Sequence, residues 1–399
     1  MKGRRPLSAL RAGVLAAAIV SSFAATAAPA QETVTTTGTE QLVVSTGNYP
    51  ALVYDNQGRG VVAWVEPGTA TVPSAIHGRR LSGETLGAPF QVTAPSSVVW
   101  SEDPRVAMDG QGGFVVVWSA NEVHGQLFRN DGRPRGGQLT LSPRNVGGYH
   151  PEVAMASDGR FALAWEQSHW DPMRAVRLAT FTSRGTRLGR ALTMPAIGTM
   201  ANLVGAVSAG PNSVAVGWTE FTPCPSNPID PVSAVGTFNW QLSPLRAIDR
   251  LANDNPCVDG PQVLALPNSD AGPLGIFVGR RYSIQRFSSL DGTRVGPRTN
   301  VAEFPSCPGG TACERVKAVA GDPRGRFVFI WERFENGVYN LVAELYGREG
   351  AKRVERFPIN AHASTTEERP AAALTNDGTL VVTWHREGEG VLMRRFRIE

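Results

Sequence analysis

The chain has 399 residues, with 39 Lys and Arg against 35 Asp and Glu, a formal charge of +4. Four of those cations, Lys2, Arg4, Arg5 and Arg11, fall in the first 30 residues, which hold no acid, so residues 31–399 are neutral overall. A neutral body without a run of Lys or Arg has no electrostatic footprint for nucleic acid or for an anionic membrane surface, and no nucleic-acid partner is expected.

Residues 1–30 read MKGRRPLSALRAGVLAAAIVSSFAATAAPA: a basic start, an uncharged Ala-rich stretch from Ala12 to Ala28, then Ala28-Pro29-Ala30 as a small-x-small cleavage site. That pattern predicts a signal peptide over residues 1–30 and a secreted or periplasmic body over residues 31–399. The Arg4-Arg5 pair matches a twin-arginine signal poorly, and general secretion fits better. No second uncharged stretch of about 18 residues follows, so no membrane-spanning helix is expected after cleavage. With 43 Gly, 29 Pro and no long segment of 3.6-residue apolar period, helix is at most a minor component.

The body is a repeat. PALVYDNQGRGVVAW from Pro50, PRVAMDGQGGFVVVW from Pro104 and PEVAMASDGRFALAW from Pro151 share one frame. It returns as VGAVSAGPNSVAVGW ending at Trp218, as KAVAGDPRGRFVFIW ending at Trp331 and as PAAALTNDGTLVVTW ending at Trp384. A degenerate copy starts at Pro261 and brings Val278 to the tryptophan position, which makes seven units. A period near 50 residues points to a propeller or a solenoid. In each unit, Pro-x-Val-Ala opens a short strand, an Asp-Gly or Asn-Gln-Gly tip supplies a tight hairpin, and Phe-Val-Val-Val-Trp is a second, β-branched strand. Two further strands follow, as in HGQLFRNDGRPRGGQLTLSP from His124 to Pro143. Small residues recur in the first strand at Ala107, Ala154, Ala320 and Ala372, as expected where sheets converge on an axis, while the Trp column fills the wider space between sheets. The chain stops at GVLMRRFRIE, the third strand of a seventh unit, and EQLVVSTGNYP near the start matches a fourth strand. The expected fold is therefore all-β: a single seven-bladed propeller of four-stranded antiparallel blades, its ring closed by the N-terminal strand completing the last blade. A monomer is expected.

The frame P-x-V-A-x-x-x-D-G-x-F-V-V-x-W, followed by G-Q-x-F and a second D-G, resembles the propeller-type repeats of bacterial secreted and cell-surface proteins over essentially all of residues 40–399. That resemblance implies architecture and no one reaction. The S-x-D-x-G-x-T-W box of sialidases, the G-H and W-D pair of WD40 repeats and the D-x-D-x-D-G calcium loop of integrin-type blades are all missing.

Long, uneven loops between strands 2 and 3, and between strand 4 and the next strand 1, fall on one face, and irregular loops on a rigid scaffold are where binding residues concentrate. Cys224, Cys257, Cys307 and Cys313 all lie in these loops. In an exported chain they read as disulfides, with three pairings open and Cys224–Cys257 and Cys307–Cys313 closing the shortest loops. His150, His169 and His385, with Glu166, are candidate general acid/base groups. Carboxylates just after a strand ordinarily stand in solvent, and no HxH or HExxH spacing marks a metal site. No cofactor is expected. Trp100 and Trp170 stand outside the Trp column as candidate ligand platforms. Tyr149 and His150 join them as ligand-binding candidates, although Tyr49 and Tyr149, read as equivalent positions ahead of their prolines, also suit a wedge between sheets. The expected function is a binding module for an extracellular glycan, peptide or protein. The alternatives are a polysaccharide hydrolase or lyase using the His/Glu set, and a purely structural extracellular protein.

Overall fold

The structure is a computed structural model that describes residues 32–69, 72–93, 104–144, 147–167, 175–194, 203–222, 230–251, 263–265, 274–278, 281–288, 293–303, 312–366 and 369–399. Among these residues there is no helix, and none that could cross a membrane as one. After β1 (Val34–Thr36) and β2 (Gln41–Val44), strands come in groups of four. The first sheet is β3 (Asn48–Tyr54), β4 (Arg59–Glu66), β5 (Ala75–Ser82) and β6 (Thr85–Gln91). The second is β7 (Arg105–Met108), β8 (Phe114–Ala120), β9 (Glu122–Phe128) and β10 (Leu139–Thr140). The third is β11 (Tyr149–Met155), β12 (Phe161–Gln167), β13 (Ala175–Phe181) and β14 (Leu192–Thr193). The fourth is β15 (Leu203–Ala209), β16 (Val214–Thr222), β17 (Asp230–Phe238) and β18 (Asp249–Leu251). The fifth is β19 (Val263–Ala265), β20 (Leu274–Val278), β21 (Arg281–Phe287) and β22 (Arg294–Glu303). The sixth is β23 (Ala312–Gly321), β24 (Phe327–Glu335), β25 (Val338–Tyr346) and β26 (Lys352–Pro358). The last holds β27 (Arg369–Leu374), β28 (Thr379–Arg386) and β29 (Gly390–Ile398), with β1 and β2 both antiparallel to β29.

Every pairing is antiparallel, and the second strands show why the sheets stack on one another. β4, β8, β12 and β24 each carry an unbroken buried run of six residues rather than an alternating one. A strand buried on both faces needs a neighbour on each side, which only a stack of sheets supplies. The tryptophans do that filling: Trp64, Trp118, Trp165, Trp218, Trp331 and Trp384 are each at most 1% exposed. Apolar clusters bridge the first sheet to the second, the second to the third, and the third to the fourth. Others bridge the fifth to the sixth, the sixth to the last, and the last back to the first.

The hairpin tips between first and second strands obey one local rule. Asp55 Oδ1 accepts the amides of Gln57 (2.8 Å) and Arg59 (3.0 Å), its Oδ2 accepts Arg59 Nε at 2.6 Å, and Gly58 takes the left-handed φ of +75° that closes the turn. Asp322 repeats this with the amide and Nε of Arg326. At the Asp109-Gly110 tip, the positive φ falls not on Gly110 but on Gly112 (+81°), because Asp109 opens the turn and the left-handed residue is its fourth.

Candidate functional site

The first strands of six sheets face a common axial space, which explains their small side chains. It is built as two cavities that share Val106, Glu152 and Ala206. The larger, about 540 Å³, opens among the hairpin tips at Asp55, Asp109, Ser157 and Pro323. The other, about 340 Å³, opens where the first strands begin, on the face of the long loops, and its rim carries Tyr49, Arg105, Glu152, Lys317 and Arg369.

At this second mouth the backbone is irregular in a repeated way. β3, β11, β15 and β23 each slip register against the second strand near its Trp: between Asn48 and Ala51, Tyr149 and Glu152, Val204 and Ala206, and Val316 and Ala318. Such bulges drop a residue out of the ladder and re-aim side chains, and they recur beside functional sites. Two of them place a bulky residue in the left-handed region: Tyr49 at φ +50° and His150 at φ +46°. Both stand directly before a proline, which disfavours helical backbone at the preceding residue, so the surrounding sheet must hold them there. The structural counterpart of Tyr49 is therefore His150 and not Tyr149, which sits one residue earlier. β3 and β11 carry the same bulge, and the count from proline alone corrects the equivalence.

Charges at the mouth are largely paired across sheets or strands. Arg105 Nε donates to Glu152 Oε1 at 2.8 Å, joining second and third sheets. Lys317 Nζ lies 3.2 Å from Glu332 Oε2. Burial pushes the Lys317 ammonium below the ordinary lysine value, Arg315 and Arg369 push the same way, and Glu332 opposes them. Arg369 stacks its guanidinium 4.1 Å from the centre of the Tyr49 ring. Tyr49 in turn packs against the apolar cluster between the first two sheets, as a wedge would.

The carboxylates after the Trp positions are not solvated as expected. Glu166, Glu220 and Glu332 are at most 2% exposed. Each is buried against a cation or imidazole: Glu220 takes Arg250 Nε at 3.0 Å and Trp218 Nε1 at 3.0 Å, and Glu166 Oε2 stands 3.1 Å from His150 Nδ1. The one left part-exposed, Glu66, accepts Trp64 Nε1 at 3.2 Å. The strand end is inside the stack because the neighbouring sheet covers it.

Of the candidate catalytic groups, His150 and Glu166 meet. His385 does not join them: it lies on β28 opposite Arg369 in register, and the first and second sheets stand between its sheet and the third. Its imidazole is held below the ordinary value by burial, with Glu387 opposing and Arg369 adding to the shift. His169, Trp100 and Trp170 lie outside the described residues, as do Cys224, Cys257 and Cys307, while Cys313 is placed only as backbone in β23. Tyr149 is half-buried and pairs with Glu166 in register. Among the described residues no three His, Cys, Asp or Glu side chains gather as a metal site. His77 and His124 stack on Trp64 and Trp118, with ring centres 6.2 and 6.1 Å apart. Arg105, Glu152, Lys317 and Arg369 were not singled out by motif. Arg105 and Glu152 occupy the frame's variable x and Arg369 precedes its proline, so none of these gave a signal; Lys317 alone departs from the frame, standing fourteen residues before Trp331 where four other units have proline.

No family model matches the chain, and no curated protein matches it by sequence. Among solved structures, the chain is similar to the Dos1 propeller, with a TM-score of 0.50 and 9% identity over 90% of this chain and 94% of that one. It is also similar to the polysaccharide lyase Uly1 (TM-score 0.52, 11% identity, covering 89% and 90%) and to a polysaccharide lyase of family PL25, an ulvan lyase (0.50, 9%, 91% and 94%). At these identities the likeness is one of fold: the chain has the all-β, four-stranded-sheet architecture of propellers.

Proposed function

We propose that the chain is a secreted seven-bladed β-propeller, its ring closed by β1 and β2 completing the last blade, that binds an extracellular or envelope ligand at the mouth where the first strands begin. Residues 1–30 are its signal peptide, and the body works as a monomer with Cys224–Cys257 and Cys307–Cys313 bridging the long loops. The carrying observation is the rim of the 340 Å³ well, where four first strands bulge and Tyr49, Arg105, Lys317 and Arg369 converge from separate sheets. A pocket of a few hundred Å³ with a few convergent polar groups is the usual form of a small-ligand site. Lyases among the propellers of similar fold put a glycan ahead of a peptide or protein as the ligand. A glycan and peptide array probed with the full chain and with Ala371→Phe, which fills the well, tests this. Signals that Ala371→Phe abolishes at unchanged melting temperature support the reading, and signals it leaves untouched overturn it. Non-reducing mass spectrometry that finds four free thiols overturns the disulfides.

A second reading, a polysaccharide hydrolase or lyase, is favoured by the His150–Glu166 contact at 3.1 Å with its carboxylate buried. A buried acid that orients an exposed imidazole is the arrangement of a general base. Release of unsaturated or reducing ends from acidic polysaccharides, lost in His150→Gln, supports it; release that survives His150→Gln removes His150 from the chemistry.

A further inference from the structure

We propose that the well recognises an oxyanion, and that the Arg369 guanidinium, stacked on Tyr49 and flanked by Lys317, takes the carboxylate of an acidic sugar residue. This rests on the reading of the well as a ligand site.

The described rim holds three cations, Arg105, Lys317 and Arg369, and one carboxylate, Glu152. Arg105 is committed to Glu152, and Lys317 to Glu332. Among the described residues Arg369 has no carboxylate partner, and its contact is the Tyr49 ring at 4.1 Å. A guanidinium lying over an aromatic face keeps its in-plane N–H donors free, and their fork fits a carboxylate or sulfate with two parallel hydrogen bonds. Tyr49 holds that plane from a backbone conformation, φ +50°, that costs free energy to maintain. Lys317, paired with Glu332, lines the same well as Arg369 across the boundary between the sixth and last sheets, so an anion on Arg369 sits beside a second cation.

The bulges favour a sugar acid over an acidic peptide. Four first strands carry residues out of the ladder at this rim, Tyr49-Pro50, His150-Pro151, Gly205 and Lys317, and backbone groups taken out of a ladder there suit a ligand with many hydroxyls. A peptide strand needs an open ladder edge instead, which bulged strands interrupt.

Calorimetry with the full chain at low and at high salt tests this, using trigalacturonate, its methyl triester and triglutamate as probes. Trigalacturonate is expected to bind about ten-fold more tightly than the ester, as for one charge-assisted pair. High salt and Arg369→Gln should each bring it down to the ester. Arg369 is exposed at its strand end, so this variant should keep its melting temperature; if it does not, Arg369→Lys, which retains charge without the fork, is expected to lose most of the discrimination. Equal binding of acid and ester, abolished by Ala371→Phe, overturns the oxyanion and leaves the well a ligand site. Triglutamate as tight as trigalacturonate overturns the sugar acid. No binding of trigalacturonate overturns the inference, while the array decides separately whether the well binds anything.

Discussion

The two ends of the axial space are built from the same repeated sequence frame and differ in what their polar groups do. At the hairpin end, Asp55 and Asp322 each accept the amide and Nε of the Arg four residues on, and Arg326 then reaches Glu32 Oε2 with Nη1 at 2.8 Å, as Arg160 reaches the Pro211 carbonyl of the next sheet, so the groups there take protein partners. At the other end partners also come from different sheets, as in Arg105–Glu152 and Arg369–Tyr49, and register slips in β3, β11, β15 and β23 set the geometry. Tips whose polar groups take protein partners hold the fold. A rim where Arg369 rests on an aromatic ring leaves room for a ligand to complete it.

The largest expected effect strikes the wall common to both ends. Trp331→Ala should cost about 4 kcal/mol in denaturant unfolding, since Trp331 is fully buried among Phe329 and its neighbours. A cost below about 1 kcal/mol would mean that the sheets do not depend on the Trp column. Next comes the mouth: Lys317→Met strands the buried Glu332 carboxylate and should cost about 3 kcal/mol, with Lys317→Met/Glu332→Gln recovering most of it. Failure of the double variant to recover would show that packing and not charge makes Lys317 matter. At the hairpin end Asp322→Ala removes the acceptor of two bonds from Arg326 and should cost about 2 kcal/mol while leaving ligand binding at the opposite mouth unchanged. Altered binding would couple ends held here to be independent.

The smallest effect separates the ends by pH. Burial holds His77 below the imidazole value of 6.5 against the pull of Glu66, and burial holds His385 below it against Glu387. Unfolded imidazoles take up protons first, so their contribution is whole above pH 6.5 and is lost as pH falls from there toward the folded values. Asp377, at a hairpin tip, behaves differently: burial would raise its pKa, but hydrogen bonds from Thr375, Thr379 and Arg397 outweigh it and bring it to about 2. Its contribution is present above 3.8 and lost only between there and about 2. Melting curves should therefore soften first near pH 6, and His77→Gln/His385→Gln should remove that step alone.

The Trp column, the hairpin tips and the small first-strand residues were legible because each follows from periodicity and turn chemistry, which act within one unit. The equivalence of Tyr149 with Tyr49 fails on the count from proline, which puts His150 in the place of Tyr49. Glu166, Glu220 and Glu332 read as solvated strand ends because the covering strands, β15, β19 and β27, belong to the next sheet along the chain, and nothing local announces it. Arg369 carries no motif at all: its role comes from β27 lying beside β3, a contact between units at opposite ends of the chain.

That same closeness of the ends reaches beyond the mouth. Val34 pairs with Ile398, Thr33 and Glu399 exchange both backbone hydrogen bonds at 2.8 and 3.0 Å, and Gly390 leaves space that a Cβ would take from the Val44 carbonyl. These ladders span nearly the whole chain, so they raise its contact order and close only after the last strand has arrived. The contact between residues 33 and 399 also makes residues 33–399 suitable for circular permutation. Joining Thr33 to Glu399 and opening the chain at the exposed Gln57 turns the slowest pairing into a hairpin, and such a permutant should refold faster around an unaltered mouth.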